Sequence, residues 1–313
     1  MKTLKVCFIG IGSIGKRHIK NLKIVCEQRN IELSIDVLRR PESKELPYSE
    51  MGIDKVFTDI SQISEVYDVI FITNPTENHI QTMNDIKPFG KHFFIEKPIS
   101  SVHQIPEVEA YEKKENAVYY VACPLRYCSV LQYLKENIEK LDIVSARCIS
   151  SSYLPEWRPG IDYRENYSAH KDQGGGVDID LIHEWDYITF LFGMPDKVLS
   201  LIGKKSKLEI DSNDYALYLA EYKDKTVELH LDYFGRKTIR EVMLFTSEDT
   251  IVGDIENNEI RFLKSGETIK FEDEQDDYKK ELCHFLDMIE GKVQPDNDIE
   301  EAVKILKLTQ GEG

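Results

Sequence analysis

The sequence predicts an α/β protein of two domains. Residues 1–122 would form a parallel sheet with helices on both faces, and residues 123–313 an α+β domain with a largely antiparallel open sheet. Three observations predict this. An apolar run opens the chain, breaks into spaced glycines and continues with helical periodicity. Apolar strands then alternate with helical segments as far as residue 122, and beyond residue 123 alternating strands carry hairpin punctuation. At 313 residues the chain exceeds one ordinary core and suits two.

In chain order, Val6 to Ile9 is the first buried strand and ends in Gly10, Gly12 and Gly15, with a helix from Ser13 through Ile14, Ile19, Leu22 and Val25 to about Arg29. This spacing is that of a dinucleotide-binding turn. Gly10 permits the tight turn, Gly12 lets backbone approach a pyrophosphate, and Gly15 lets the helix pack closely on the sheet. The phosphates would meet the free N–H groups at the helix N-terminus. Further strands are predicted at Ile31 to Leu38, Val56–Phe57, Val69 to Thr73, His92 to Ile95 and Val118 to Ala122. Ligands of such sheets bind beyond the carboxyl ends of the strands, so Gly10, Arg39, Asn74 and Lys97 are expected to share one edge.

In the second half, Ser129 to Glu139 reads as a helix and Ile143 to Ser151 as a strand. A loop rich in Trp, Tyr, Arg and Pro leads to Gly174, Gly175 and Gly176, and Asp178 to Phe192 reads as one helix. Alternating strands such as Tyr215 to Tyr222 and Thr226 to Tyr233 follow, with hairpin turns at Lys223–Lys225 and Asn257–Asn258. Tyr278 to Ile289 and Ile299 to Leu308 are amphipathic helices, and the acidic stretch Glu272 to Asp277 is a solvated loop. The alternation leaves one sheet face without a partner, which predicts a homo-oligomer, dimer or tetramer.

A net charge of −16 argues against a nucleic-acid partner, while leaving room for a locally basic pocket for one phosphorylated ligand. The cysteines at 7, 26, 123, 128, 148 and 283 show no CxxC and no zinc spacing, which suits scattered reduced thiols in the cytoplasm. No apolar stretch approaches a membrane span of roughly 18 residues, and the first strand starts too early for a signal peptide. A soluble protein with no membrane partner is expected.

The candidate chemical groups lie at strand ends and glycine-rich turns. Arg39 and Arg40 stand where dinucleotide sites usually carry an acid for the ribose 2′-hydroxyl, and an arginine there would meet a 2′-phosphate, so NADP is preferred over NAD. Asp36 lies inside the strand. Lys97, in Glu96–Lys97–Pro98, would project from a strand end and can hydrogen-bond a nicotinamide ribose and a substrate oxygen. Asp180 and His183, three apart on one predicted helix, share a face, and imidazole suits proton exchange with a hydroxyl or carbonyl. A metal reading of Asp180, His183 and Glu184 is weaker, because no second His or Cys cluster joins them, and no metal is expected. Trp157, Arg158, Tyr163 and Arg164 offer aromatic faces for a sugar ring and cations for a carboxylate or phosphate, or else a loop packed down by its aromatics. Arg126 is a further anion-binding candidate.

Taken together, the glycine turn followed by His18, Thr73–Asn74–Pro75 followed by His79, Glu96–Lys97–Pro98 and the segment from Gly174 to His183 resemble the glucose-fructose oxidoreductase and inositol dehydrogenase family. The resemblance covers essentially the whole chain. It implies an N-terminal Rossmann domain and a C-terminal α/β domain whose open sheet serves in oligomers. It further implies Lys97 as the lysine of the family's EKP motif, Asn74 and Pro75 as the nicotinamide-side loop, and Asp180 with His183 as the Asp/His pair. The family pattern places three residues within that pair, whereas only Leu181 and Ile182 intervene here. Either His183 acts from a rotated position, or it supports the site while another group exchanges the proton. The stretch Trp157 to Tyr167 resembles members associated with bacterial surface-sugar pathways.

These readings converge on an NAD(P)-dependent oxidoreductase moving a hydride to or from a sugar, nucleotide sugar or polyol, with the substrate between the cofactor and the Gly174-to-Asp186 segment. The rival expectation is a catalytically silent dinucleotide- and sugar-binding sensor or regulator.

Overall fold

In a computed structural model of the chain, residues 2–42, 45–272 and 276–311 are described. Part of the acidic stretch Glu272 to Asp277, residues 273–275, lies outside them. The chain forms two compact units, Met1–Pro124 with Gln275–Val303, and Leu125–Glu274 with Lys304–Gly313.

The first unit is built on a parallel sheet of β1 (Lys2–Ile9), β2 (Ile31–Leu38), β3 (Lys55–Phe57), β4 (Tyr67–Ile72), β5 (Gly90–Ile95) and β6 (Tyr119–Val121), in the order β3-β2-β1-β4-β5-β6. The order reverses at β1, which makes the crevice beyond its carboxyl end the topological switch point. The near-continuous apolar runs of β1, β4 and β5 reflect burial on both faces. Phe8 stacks on Phe71 at 4.4 Å between ring centroids, and Phe71 meets Phe94 at 5.1 Å.

Register then decides what shares an edge. Ile9 pairs with Leu38 and with Ile72, and Ile72 pairs with Ile95, so the strands end level. The residues that follow them, Gly10, Arg39, Thr73 and Glu96, therefore emerge side by side, with the expected Asn74 and Lys97 one residue further along their strands' exits.

One segment departs from the contiguous division at residue 122. The helix Asp277–Ile289, read as part of the second half, belongs to the first unit. Phe285 packs edge-on against Phe94 at 5.3 Å, and Arg29 closes on Asp287 at 2.8 Å. Glu281 on this helix is fully buried and accepts from the Cys123 N–H at 2.5 Å, satisfying backbone just beyond β6.

The second unit holds the sheet β14-β13-β12-β11-β7-β10-β9-β8, formed by β7 (Ile143–Tyr153), β8 (Lys197–Gly203), β9 (Tyr215–Glu221), β10 (Thr226–Asp232), β11 (Phe234–Thr246), β12 (Thr250–Asp254), β13 (Glu259–Phe262) and β14 (Thr268–Lys270). Its pairings are antiparallel except that of β7 with β10. Alternation sends Ala146, Cys148, Leu229, Leu231, Val242 and Leu244 into the core with Trp185 and Ile188, while the other face is open. On that face Leu199 opposes Leu219 and Leu201 opposes Leu217 across β8 and β9, and Leu199 and Leu201 are 56% and 60% exposed.

The helix read as Asp178 to Phe192 is two helices, Val177–Asp180 and Ile182–Phe192, separated by Leu181 at φ −96° and ψ 33°. The two pieces are anchored separately: Tyr233 donates to Asp180, and Arg240 to Glu184. All six cysteines are free thiols. Among the described residues no helix is long and apolar enough to cross a membrane.

Candidate functional site

The glycine turn is closely fitted. Gly10 adopts φ +87°, and a Cβ there would lie 2.9 Å from the Asn74 Cα. A Cβ on Gly15 would fall 2.8 Å from the Gly10 carbonyl oxygen and 2.9 Å from Thr73 Oγ1, so the helix can approach the sheet only without a side chain. Thr73, itself buried, donates its hydroxyl to the Gly10 carbonyl at 2.6 Å and clasps the turn. At Gly12, by contrast, a Cβ would meet nothing within 4 Å. Gly12 is the N-cap of the helix Ser13–Gln28, which has no side-chain cap and no acid in its first turn. A helix of 16 residues thus opens its N-terminus, at Ser13 and Ile14, onto clear space. Exposed N–H groups, a favourable dipole and no competing carboxylate fit a pyrophosphate.

At the end of β2 the side chains are basic. Asp36 turns inward and accepts from the Tyr67 hydroxyl at 2.7 Å, so it is taken up within the sheet. Arg39 is buried with its guanidinium 5.6 Å from the Tyr48 ring centroid, and Arg40 is exposed.

Behind β4 and β5 two histidines connect the strand-end loops. His79, buried, contacts the Asn74 carbonyl through Nε2 at 2.9 Å and the Pro98 carbonyl through Nδ1 at 3.1 Å. Burial is the largest influence on it and lowers its pKa. It ties Thr73–Asn74–Pro75 to Glu96–Lys97–Pro98, whose Lys97–Pro98 bond is cis. His18 lies fully buried with its Nε2 2.5 Å from Glu96 Oε1. Burial pushes the Glu96 carboxyl up, but the hydrogen bond from His18 and the charges of His18 and Lys97 outweigh it and hold it below the usual carboxylate range. Glu96 is thereby kept an anion within reach of the Lys97 charge, and the Lys97 side chain is half-buried.

In the second unit Asp180 is buried and accepts from the Tyr233 hydroxyl at 2.5 Å. Tyr167 also faces it, and burial followed by the Asp180 charge pushes both phenols up, so they remain neutral donors. Tyr233 in turn meets Trp157 edge-on at 5.1 Å, and the Trp157 indole N–H donates to Ser152 Oγ at 2.9 Å. His183 follows one residue into the second helix and is half-buried. The break at Leu181 removes the continuous helical face on which Asp180 and His183 were expected to stand together, and gives the pair a geometry set by two helices.

Other expected residues have internal partners. Arg164 pairs with Asp162 and Glu209, both at 2.7 Å, and the Tyr163 hydroxyl accepts from the Glu209 N–H at 3.2 Å. Arg126 grips Asp186 with two hydrogen bonds of 2.9 and 2.8 Å. Glu184 is fully buried on Arg240, and among the described residues no group of three or more His, Cys, Asp or Glu gathers for a metal. Tyr233, unmarked in the sequence as the last residue of an alternating run, is a partner that holds Asp180.

Comparison with known proteins bears on the same residues. A family model described as an oxidoreductase family with an NAD-binding Rossmann fold matches residues 4–123. An uncharacterized oxidoreductase, YrbE, of Bacillus subtilis (strain 168) is 25% identical over 194 residues, covering 61% of this chain and 54% of that protein. Myo-inositol 2-dehydrogenase of Thermotoga maritima is 23% identical over 194 residues, covering 61% and 55%. The match thus spans about half the length of these relatives. A solved structure of levoglucosan dehydrogenase in complex with NADH shares the fold, with a TM-score of 0.84 at 17% identity over 99% of this chain and 96% of that one. The matched residues contain the glycine turn, the Thr73–Asn74–Pro75 loop and Glu96–Lys97–Pro98, so it is this first part of the chain, residues 4–123, that is similar to the GFO_IDH_MocA oxidoreductase family with its NAD-binding Rossmann fold.

Proposed function

We propose that this protein is an NAD(P)-dependent dehydrogenase or reductase acting on a CH–OH carbon of a sugar, nucleotide sugar or polyol, with NADP as the preferred dinucleotide. The observation that carries the reading is the uncapped helix N-terminus over the open space at Gly12. Relatives named for myo-inositol and levoglucosan support the substrate class.

A bound nicotinamide would supply the hydride donor or acceptor. The chain's own residues do the rest. The N–H groups at Gly12, Ser13 and Ile14 bind phosphate, and Arg39 with Arg40 binds a 2′-phosphate. Thr73, Asn74 and Pro75, braced by His79, shape the nicotinamide-side loop. The Lys97 ammonium, near enough to Glu96 for the two charges to interact, hydrogen-bonds the reacting oxygen and polarises it. His183 exchanges the proton of that oxygen, with the Asp180 carboxylate held in place by Tyr233. Trp157 and Arg158 contribute to sugar binding, and a role in surface-sugar metabolism in the cytoplasm fits these parts.

Purified full-length protein, supplied with NADP(H) or NAD(H) and a panel of free sugars, polyols and nucleotide sugars, is expected to turn over at least one compound, followed by the absorbance of the reduced nicotinamide. The KM for NADP(H) is expected to be the lower. A clear NAD preference would overturn the role of Arg39 and Arg40. Tight dinucleotide binding without turnover would favour the sensor.

The open face of the second sheet, with its paired leucines on β8 and β9, is proposed to bury itself in a homodimer or tetramer. Light scattering at micromolar concentration is expected to give a multiple of the chain mass, and a monomer would count against this.

A further inference from the structure

The seven arginines of the second unit divide by partner. Arg126, Arg147, Arg164, Arg240 and Arg261 each meet a carboxylate, those of Asp186, Glu228, Asp162, Glu184 and Glu241 respectively. Arg158 and Arg236 do not. The Arg236 guanidinium lies 3.8 Å from the Tyr153 ring centroid, and that of Arg158 lies 5.8 Å from the Tyr167 ring centroid. Both are exposed, and among the described residues neither has a carboxylate partner. In a chain of net charge −16, two such cations in one neighbourhood call for an explanation.

Arg236 is carried by a bulge. Phe234 pairs with Tyr153 and Ile239 with Ser151, so residues 235–238 stand opposite the single residue Ser152. The root of the bulge is fixed: buried Asp232 accepts from the N–H groups of Phe234 and Gly235 at 3.0 and 2.8 Å. A side chain at Gly235 would fall 1.9 Å from Ser151 Oγ. On one side of the bulge Tyr233 donates to Asp180, and on the other Arg240 donates to Glu184 at 2.8 Å. The bulge is thus pinned between the two short helices that carry Asp180 and His183. Arg158 comes to the same region from the loop: its ring partner Tyr167 and the bulge-root residue Tyr233 both face Asp180.

A guanidinium lying against a ring keeps its N–H edge available for two parallel hydrogen bonds, the geometry that suits phosphate. Lys237, next in the bulge and exposed, adds a point charge. We propose that Arg236, Lys237 and Arg158 bind the phosphate of a phosphorylated sugar, so that the substrate is a sugar phosphate or a nucleotide sugar and not a neutral sugar or polyol. This rests on reading Asp180 and His183 as the substrate end of the oxidoreductase.

The test is calorimetric titration of the full-length protein with glucose 1-phosphate, UDP-glucose and glucose, at saturating NADPH whose own binding is measured first by fluorescence. A phosphorylated probe is expected to bind about tenfold or more tightly than glucose, as charge-assisted hydrogen bonds allow. The R158A/R236A variant should lose that advantage while still binding NADPH, and R236K should keep only part of it. Preference between the two phosphorylated probes separates a sugar phosphate from a nucleotide sugar. Equal binding of charged and neutral probes, an advantage that survives in R158A/R236A, or no binding of any probe would overturn the proposal. Failure of NADPH binding would speak against the dinucleotide reading alone, and the titration then runs without cofactor.

Discussion

Lys97→Ala is expected to lower turnover by about 10²–10⁴-fold, the range over which a positioned proton-transfer or polarising group contributes, while dinucleotide affinity stays nearly unchanged. The reason lies in how Lys97 is held. Its backbone follows β5 level with the ends of β1, β2 and β4, and the preceding Glu96 is fixed by His18 at 2.5 Å. Truncating Lys97 leaves the Glu96–His18 pair, the His79 brace and the open helix N-terminus at Gly12 in place, so the parts proposed to bind the dinucleotide survive. Lys97→Arg keeps the charge but replaces a compact ammonium with a broader planar fork, and should recover little activity. Turnover is read by nicotinamide absorbance and cofactor affinity by fluorescence titration. A K97A variant with full turnover would remove Lys97 from the mechanism, and one that also lost the cofactor would make it a binding residue.

That prediction draws on features the sequence shows and on others it conceals. The apolar runs ending at Ile9, Leu38, Ile72 and Ile95 are legible because a strand buried on both faces must be apolar throughout, and the glycine spacing is legible because close backbone approach tolerates nothing larger. Partner choice at long range is not. Nothing in the chain order links His18 to Glu96, or Tyr233 to Asp180. Asp178 to Phe192 reads as one helix because Leu181 is a good helix former, whereas the structure interrupts it at Leu181 and gives the two pieces different partners, Tyr233 and Arg240. The unusual spacing from Asp180 to His183 acquires a physical setting there: the interval contains a helix junction. Helix Asp277–Ile289 follows the strands of the second half in chain order. Its apolar face, with Phe285 on Phe94, instead closes the first core.

Arg126 supplies the second large effect, and a case where residue type alone misleads. A cation past the end of the first domain invites an anionic ligand, yet its guanidinium holds Asp186 through two hydrogen bonds, and the two residues are only 4% and 6% exposed. Arg126→Met would leave the Asp186 carboxylate buried without that counter-charge, and a loss of about 3–5 kcal/mol is expected for breaking such a pair from one side. Asp186→Leu should destabilise by a similar amount, since it strands the arginine. The double variant R126M/D186L removes both charges together, and most of the lost stability should return, because a buried ion pair and a well-packed apolar pair are often near equal. Urea denaturation of the four proteins measures this as a coupling energy. Kinetics on the double variant then separate the two roles: a structural arginine leaves the substrate KM unchanged once stability is restored, whereas a substrate-binding arginine leaves KM raised in a stable protein. The geometry of the Asp186 contact favours the first outcome, and a raised KM in stable R126M/D186L would return Arg126 to the binding site.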